Sequence, residues 1–321
     1  MNTTNPSSTN TTRHFLQSSQ WGAFQQALGH QVLTDEGQGW SYLGIVEHGY
    51  GPARYLGNRL YCPYGPSYTD NEALAAALAA IRAQAKKHGC SYIRVEPLPL
   101  GERANETSLG LQRQSRSAQP ALTSVLDLTK SFDELTSGFT KTNRYLWRRQ
   151  ADFGLTLTQH YGTAEAADFV DMMAETARQT GALLHEGAYY QTMLDVMQKS
   201  RSAGLYYASH DGQRIAGMLF ADDHQAKTRY YFHAGSRPAA RKLNAMAIML
   251  MHAIHDAQTE GMTTFDFFGV SPADQPNHRW AGFSKFKRSF GGTDRAYPGT
   301  FEQPVRRPRY ALLQALRKLK G

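Results

Sequence analysis

Cysteine is almost missing from this chain: Cys62 and Cys90 are its two thiols in 321 residues. They lie far apart and outside any metal-ligand spacing, which excludes a disulfide framework and a zinc ribbon and suits a reducing cytoplasm. Long hydrophobic runs are missing too. The longest, 245–254, is interrupted by His252 and falls short of the ~20 residues that cross a bilayer. Residues 1–12 are mostly Asn, Thr, Ser and Pro with no apolar run, and read as a disordered tail. Acidic residues are outnumbered, 27 against 35 basic, giving a net charge of +8. That excess calls for a polyanionic partner: nucleic acid, an anionic membrane or a phosphorylated substrate. No H-E-x-x-H and no G-x-S-x-G occurs, so a metal site and a nucleophilic triad have no candidate, and no cofactor is expected.

With 41% hydrophobic and 19% charged residues the chain is globular, and its length suits two domains of about 100 to 200 residues. Phe15, Trp21, Phe24 and Leu28 recur at helical spacing, with Ser18 and Ser19 available as a cap. Strand-like runs at 40–47 and 54–60 lead into the turn signal Y-C-P-Y-G-P at 61–66. An alanine-rich helix over 72–89 and a strand over 91–97 follow. A second unit starts near Leu128, with Ser131 and Glu134 at capping-box spacing. Beyond it Lys141, Arg144, Arg148 and Arg149 recur at intervals that put at least three on one helix face. Helices at 169–178 and 189–199, three strands at 205–210, 214–222 and 227–234, one long helix over 237–261 and an aromatic strand from Thr264 come next. A meander, a helix and a further strand in that order is the pattern of a GNAT-type acyltransferase. An α/β (α+β) fold with mixed sheets flanked by helices is therefore expected.

Gly282 to Gly292 read G-F-S-K-F-K-R-S-F-G-G. By spacing alone Phe283, Phe286 and Phe290 face the core, and Lys285, Lys287 and Arg288 are solvated. The turn opening the long helix, R-P-A-A-R-K at 237–242, carries cations but no glycine. A backbone cradle for the pyrophosphate of an acyl-CoA is thereby disfavoured; Arg237, Arg241 and Lys242 are either side-chain contacts to phosphate or solvated charges. Adjacent tyrosines at 189–190, 206–207 and 230–231 place one ring of a strand pair in the core and leave the other for a ligand, with His185 and His233 beside them. Positioning and electrostatics are the chemistry that remains.

Taken in order, F-L-Q-S-S-Q-W (15–21), Y-C-P-Y-G-P (61–66), K-T-N-R leading to F-G-L (153–155), Y-Y-F-H-A-G-S (230–236), F-K-R-S-F-G-G (286–292) and Y-P-G-T-F-E (297–302) resemble the FemABX family of peptidoglycan-bridge aminoacyltransferases. The resemblance implies two GNAT-like domains, 13–128 with 300–321 and 129–299, in a compact form without the helical-hairpin arm of some members. It implies a cytoplasmic enzyme, expected as a monomer, that moves an amino acid from aminoacyl-tRNA to the stem peptide of a UDP-linked or lipid-linked muropeptide precursor. Phe286 and Lys287 would lie at the reaction centre, and Tyr230 or Tyr231 on the precursor. Some members bind the precursor through an arginine four residues before a tyrosine; that spacing here holds His185 and Tyr189, which puts the grip on a diphosphate in question. Arg144, Arg148, Arg149 and the basic tail at 306–320 would meet the tRNA acceptor stem. The tail, with Leu312, Leu313, Leu316 and Leu319 apolar, is read as a helix packed on the first domain, with peripheral contact at an anionic membrane as the alternative. Asp266 as general base stands against Asp266 as a structural carboxylate. The rival functions are a GNAT-type N-acyltransferase with another donor or acceptor, and a non-catalytic RNA- or membrane-binding relative.

Overall fold

Ser18 starts the first helix, its hydroxyl accepting from the Trp21 N–H at 3.1 Å, so that α1 (Ser19–Ala27) buries Trp21 and Phe24. The computed structural model describes residues 13–49, 54, 56–98, 109–181 and 184–320, and the tail expected over 1–12 lies outside them. Strands β1 (Gln31–Gly37), β2 (Trp40–Glu47), β3 (Arg59–Cys62) and β4 (Ser67–Tyr68) follow. β3 begins at Arg59 rather than at 54, because its ladder with the parallel β5 (Tyr92–Val95) runs from Arg59 to Cys62, into the turn. Between them α2 (Asn71–Lys87) is capped by Asp70, which accepts from the Ala73 N–H at 2.8 Å. Its Leu74, Leu78 and Ile81 are buried. β6 (Gln112–Arg113) is a short strand at the edge of this sheet.

From Leu122 to Ala296 the chain builds a second unit. It opens with β7 (Leu122–Asp127) and α3 (Phe132–Ser137), whose Ser131–Glu134 capping box is formed as expected. Next come α4 (Lys141–Arg148), β8 (Thr156–His160), α5 (Ala166–Thr180) and α6 (Gly187–Met197). The meander β9 (Ala203–His210), β10 (Gln213–Asp223), β11 (Thr228–Ser236) turns first at Asp211-Gly212. The long helix expected over 237–261 is two: α7 (Ala239–Lys242) and α8 (Ala245–Thr259), separated where Asn244 takes a left-handed φ of 51°. Asparagine tolerates that conformation, so the apolar spacing continues across a break in the backbone. Leu250, Ile254 and most of α8 are buried against the sheet. Strand β12 (Thr264–Gly269), helix α9 (Ala281–Arg288) and strand β13 (Thr293–Ala296) close a seven-stranded sheet in the order β13-β7-β12-β11-β10-β9-β8.

The chain then returns to the first unit, Met1–Ala121 with Tyr297–Gly321. There β14 (Phe301–Pro304) inserts between β5 and β6, and α10 (Arg307–Lys320) follows. Both sheets are mixed and flanked by helices, as the pattern of elements predicts. Of the four leucines expected to pack α10, Leu313 is buried and Leu316 half-buried, while Leu312 and Leu319 are 52% and 83% exposed. The inward side of α10 is set instead by Tyr310, Leu313 and Arg317. Tyr310 and Arg317 each bond a carboxylate oxygen of the fully buried Glu302 at 2.9 Å.

Candidate functional site

The second sheet comes apart at one level. Parallel strands β11 and β12 pair only over Thr228↔Thr264, Arg229↔Phe265 and Tyr230↔Asp266. Beyond that point β12 shifts register against β7 between Asp266 and Gly269, with Phe268 at a φ of 60°, a left-handed conformation that costs an aromatic residue ~1–3 kcal/mol. On the other side β11 shifts against β10, Tyr231 facing Phe220 and His233 facing Leu219, which leaves Phe232 as an extra residue. A bulge of this kind re-aims the side chains that follow. Two adjacent strands thus part beyond Tyr230 and Asp266 and open a gap, with the Phe232 and Phe268 rings packed against each other at 5.3 Å. Just before the gap, Arg229 of β11 is held to β10 by the Asp222 carboxylate at 2.8 and 2.7 Å, both side chains fully buried.

Lys287 fills this gap. Its Nζ donates to the carbonyl of Gly269 at 2.8 Å and stands 5.6 Å from the centroid of the Tyr231 ring. Ser284 fixes the rotation of α9: its Oγ accepts from the Ser271 N–H at 2.7 Å and donates to the Trp280 carbonyl at 2.8 Å. With Ser284 buried, the residue one turn on points into the gap. Phe283 is turned out and is 50% exposed, contrary to the core face its spacing suggests, and Phe290 is buried beyond the helix end, where the turn places it. Arg288 is not a free surface charge either: it ion-pairs with Asp294 at 2.6 Å and donates to the Ser271 carbonyl, while Lys285 is exposed.

Burial pushes the Lys287 ammonium down to about 8, with Asp266 pulling back up. Asp266 itself accepts from the Thr123 hydroxyl and from the Phe268 N–H at 2.7 Å, and burial raises its pKa. These bonds shape the strand irregularity and favour a structural carboxylate over a general base. The Nε2 of His233 is buried without a hydrogen-bond partner, and burial, helped by His185 and Lys287, lowers its pKa to about 3. Its ring contacts Tyr190 at 5.2 Å and Tyr189 at 5.9 Å. His185 stacks on Tyr189 at 3.8 Å and 8°, and partial burial lowers its pKa. The site therefore brings together Lys287, Tyr231, Tyr189, His185 and His233. Phe286, packed on Phe290 at 5.3 Å, lines a groove of about 490 Å³ with Arg237, Arg241 and Asn244.

Other expected residues lie elsewhere or are engaged. Tyr230 is buried at the last paired position. In each strand pair both rings are buried, because helices cover both faces of the sheet; Tyr206 and Tyr207 spend their hydroxyls on Asp256 and the Glu165 carbonyl. Arg144 donates to the Phe139 carbonyl and Arg149 ion-pairs with Asp152 beyond the end of α4, so the arginines do not form one free face; Arg148 is exposed. Among the described residues no cluster suits a metal ion, and no helix is long and apolar enough to cross a membrane. The strand irregularity at Phe232 and the left-handed Phe268 carry no sequence signal, since neither position holds glycine.

The model of the FemAB family matches residues 107–210 and 200–318. The aminoacyltransferase FemA of Staphylococcus aureus is 26% identical over 133 residues, covering 40% of this chain, and the match spans only 31% of that relative. The crystal structure of FemX superposes with a TM-score of 0.83 over 95% of both chains at 17% identity. A tandem GNAT protein from the clavulanic acid biosynthesis pathway gives 0.50 over 83% of this chain and 79% of its own at 14% identity. The last two likenesses are of fold.

Proposed function

The chain belongs to the FemAB family, and we propose that it transfers an aminoacyl group from aminoacyl-tRNA to an amine on the stem peptide of a peptidoglycan precursor, toward an interpeptide bridge. The observation that carries this reading is the placement of one lysine: the Lys287 Nζ donates to the Gly269 carbonyl at 2.8 Å where β11 and β12 part, and burial draws its pKa down to about 8. An aminoacyl ester is already activated. The acceptor nitrogen attacks the ester carbonyl, a C–N bond forms, the C–O bond to the ribose breaks, and the ribose oxygen takes the proton that the amine gives up. Holding the two partners in register can lower such a barrier by up to ~7 to 11 kcal/mol. Lys287 as an ammonium faces the charge that develops on the carbonyl or ribose oxygen, and in this partly dry gap that is worth more than in water. Phe286 shields it, and Arg237 and Arg241 beside the groove suit the phosphates at the donor's end.

On the acceptor side, Tyr231, Tyr189 and His185 are assigned to the precursor. A neutral histidine stacked on Tyr189 favours planar polar groups over a tightly held diphosphate. The acceptor is UDP-linked or lipid-linked, and the protein works as a cytoplasmic monomer with peripheral contact at the inner face of the membrane. We read the two units as its two domains. Arg148 remains available to the tRNA.

Charged tRNA and a muropeptide acceptor incubated with the protein should yield an aminoacylated muropeptide, and ribonuclease should abolish the transfer. Transfer that survives ribonuclease overturns the reading. Lys287→Met should cut kcat/KM about a hundredfold or more, in the range of a lost oxyanion donor, with precursor affinity within a few-fold of the parent; unchanged turnover removes Lys287 from this role.

A further inference from the structure

Helix α10 has two apolar sides, and only one is used by the fold. Tyr310 and Leu313 are buried, and Arg317 reaches the Glu302 carboxylate and the Tyr92 hydroxyl, both at 2.9 Å. Opposite them Pro308, Leu312, Ala315 and Leu319 follow at intervals of four, three and four, the repeat of a helix stripe. All four are exposed, and Leu312 and Leu319 are two of the four large apolar side chains left in solvent among the described residues. Exposed cations flank the stripe: Arg307 and Lys318 on one side and Arg309 on the other. No acidic residue occurs between Arg306 and Lys320, and the chain carries +8 overall.

We propose that this outer stripe of α10 is an interfacial anchor that seats the protein on an anionic lipid surface. Leucines would enter the headgroup boundary while the flanking arginines and lysine meet lipid phosphates, the arrangement by which amphipathic helices lie in the plane of a membrane. Each cation near an anionic leaflet adds attraction that salt screens. Bare leucines at the centre of the stripe favour lipid over RNA, whose backbone would be met by the cations alone. The anchor is independent of the Lys287 gap and requires no particular acceptor.

The test uses the full chain in co-sedimentation with vesicles of phosphatidylglycerol and phosphatidylcholine, against vesicles of phosphatidylcholine alone. The parent should pellet with the anionic vesicles, and less so in about 0.5 M salt, where the Debye length shrinks to a few ångströms. Leu312→Glu with Leu319→Glu should weaken binding about tenfold or more, with the circular dichroism spectrum, melting temperature and transfer to a soluble muropeptide unchanged. Arg307→Ser, Arg309→Ser and Lys318→Ser together should remove the preference for anionic lipid. Equal binding by parent and leucine variant overturns the proposal, as does failure of the parent to pellet. Two further outcomes overturn it by assigning another occupant: self-association of the parent abolished by the leucine variant gives the stripe to a second copy, and RNA binding lost only in the cation variant gives it to nucleic acid.

Discussion

At Lys287 two effects oppose each other: burial disfavours the ammonium and the Asp266 carboxylate favours it, with burial ahead, so the pKa settles at about 8 rather than the usual 10.5. The folded state thus holds this proton less tightly than the unfolded chain. A charged Lys287 costs stability below pH 8, and the cost fades as the pH rises from 8 toward 10.5. Losing this ammonium is therefore not expected to unfold the protein, and lost turnover in Lys287→Met reads as lost chemistry. If the ammonium is the active form, kcat/KM falls by one proton's slope as the pH rises through about 8, after correction for hydrolysis of the ester. Lys287→Arg, which stays charged, should lack that limb. A rate that climbs through the same pH would instead make the neutral amine a base and sink the electrostatic role.

One element higher, α9 shows why Lys287 and not its neighbours occupies the gap. The spacing of Phe283, Phe286 and Phe290 suggests an aromatic face inward, and on that reading the lysine is solvated. Phe286 and Phe290 do pack inward, but Phe283 turns out and Ser284 takes the buried place, because Ser284 bonds Ser271 and the Trp280 carbonyl, a pairing between a helix and the loop before it that no local periodicity reveals. The meander strands, the capping box and the apolar surface of α8 were legible, since each is written in short-range spacing. The break at Asn244, the extra residue in β11 and the left-handed Phe268 were not, because they are imposed by sheet partners far away in sequence. Lys287 was singled out by its resemblance to a family motif, and its depressed pKa required the fold. Ser284→Ala tests the element: it leaves the buried Ser271 N–H without its acceptor, a loss of about 1–3 kcal/mol. Turnover should fall several-fold more than precursor affinity, and Ser284→Thr should restore part of it. Equal loss in kcat and affinity, or none, would mean that α9 is held by other contacts.

Across the whole molecule, the first unit is completed by a strand and helix that follow the second, so its stability depends on how the returning segment is held. Glu302 on β14 holds it. Fully buried, it accepts from Arg94 at 2.6 Å, Tyr310 at 2.9 Å and Arg317 at 2.9 Å, and so joins β5, β14 and α10. Burial alone would raise its pKa, but the bonds from Arg317 and Arg94 more than reverse this and hold it below the ordinary value. Because the folded pKa is the lower one, the stabilisation is present above the ordinary carboxylate range and is lost as the pH falls through the folded value. Removing one partner of such a pair leaves the other buried without compensation, a cost of 3–5 kcal/mol in enclosed pairs. Arg94 and Arg317 keep some water, with side chains 19% and 35% exposed, so about 2–3 kcal/mol is the expected loss for Glu302→Ala. Urea unfolding at pH 7 should show this loss, and the gap between parent and variant should narrow as the pH is lowered below about 4. A gap that is small at pH 7 or independent of pH would mean that Glu302 does not secure the returning segment.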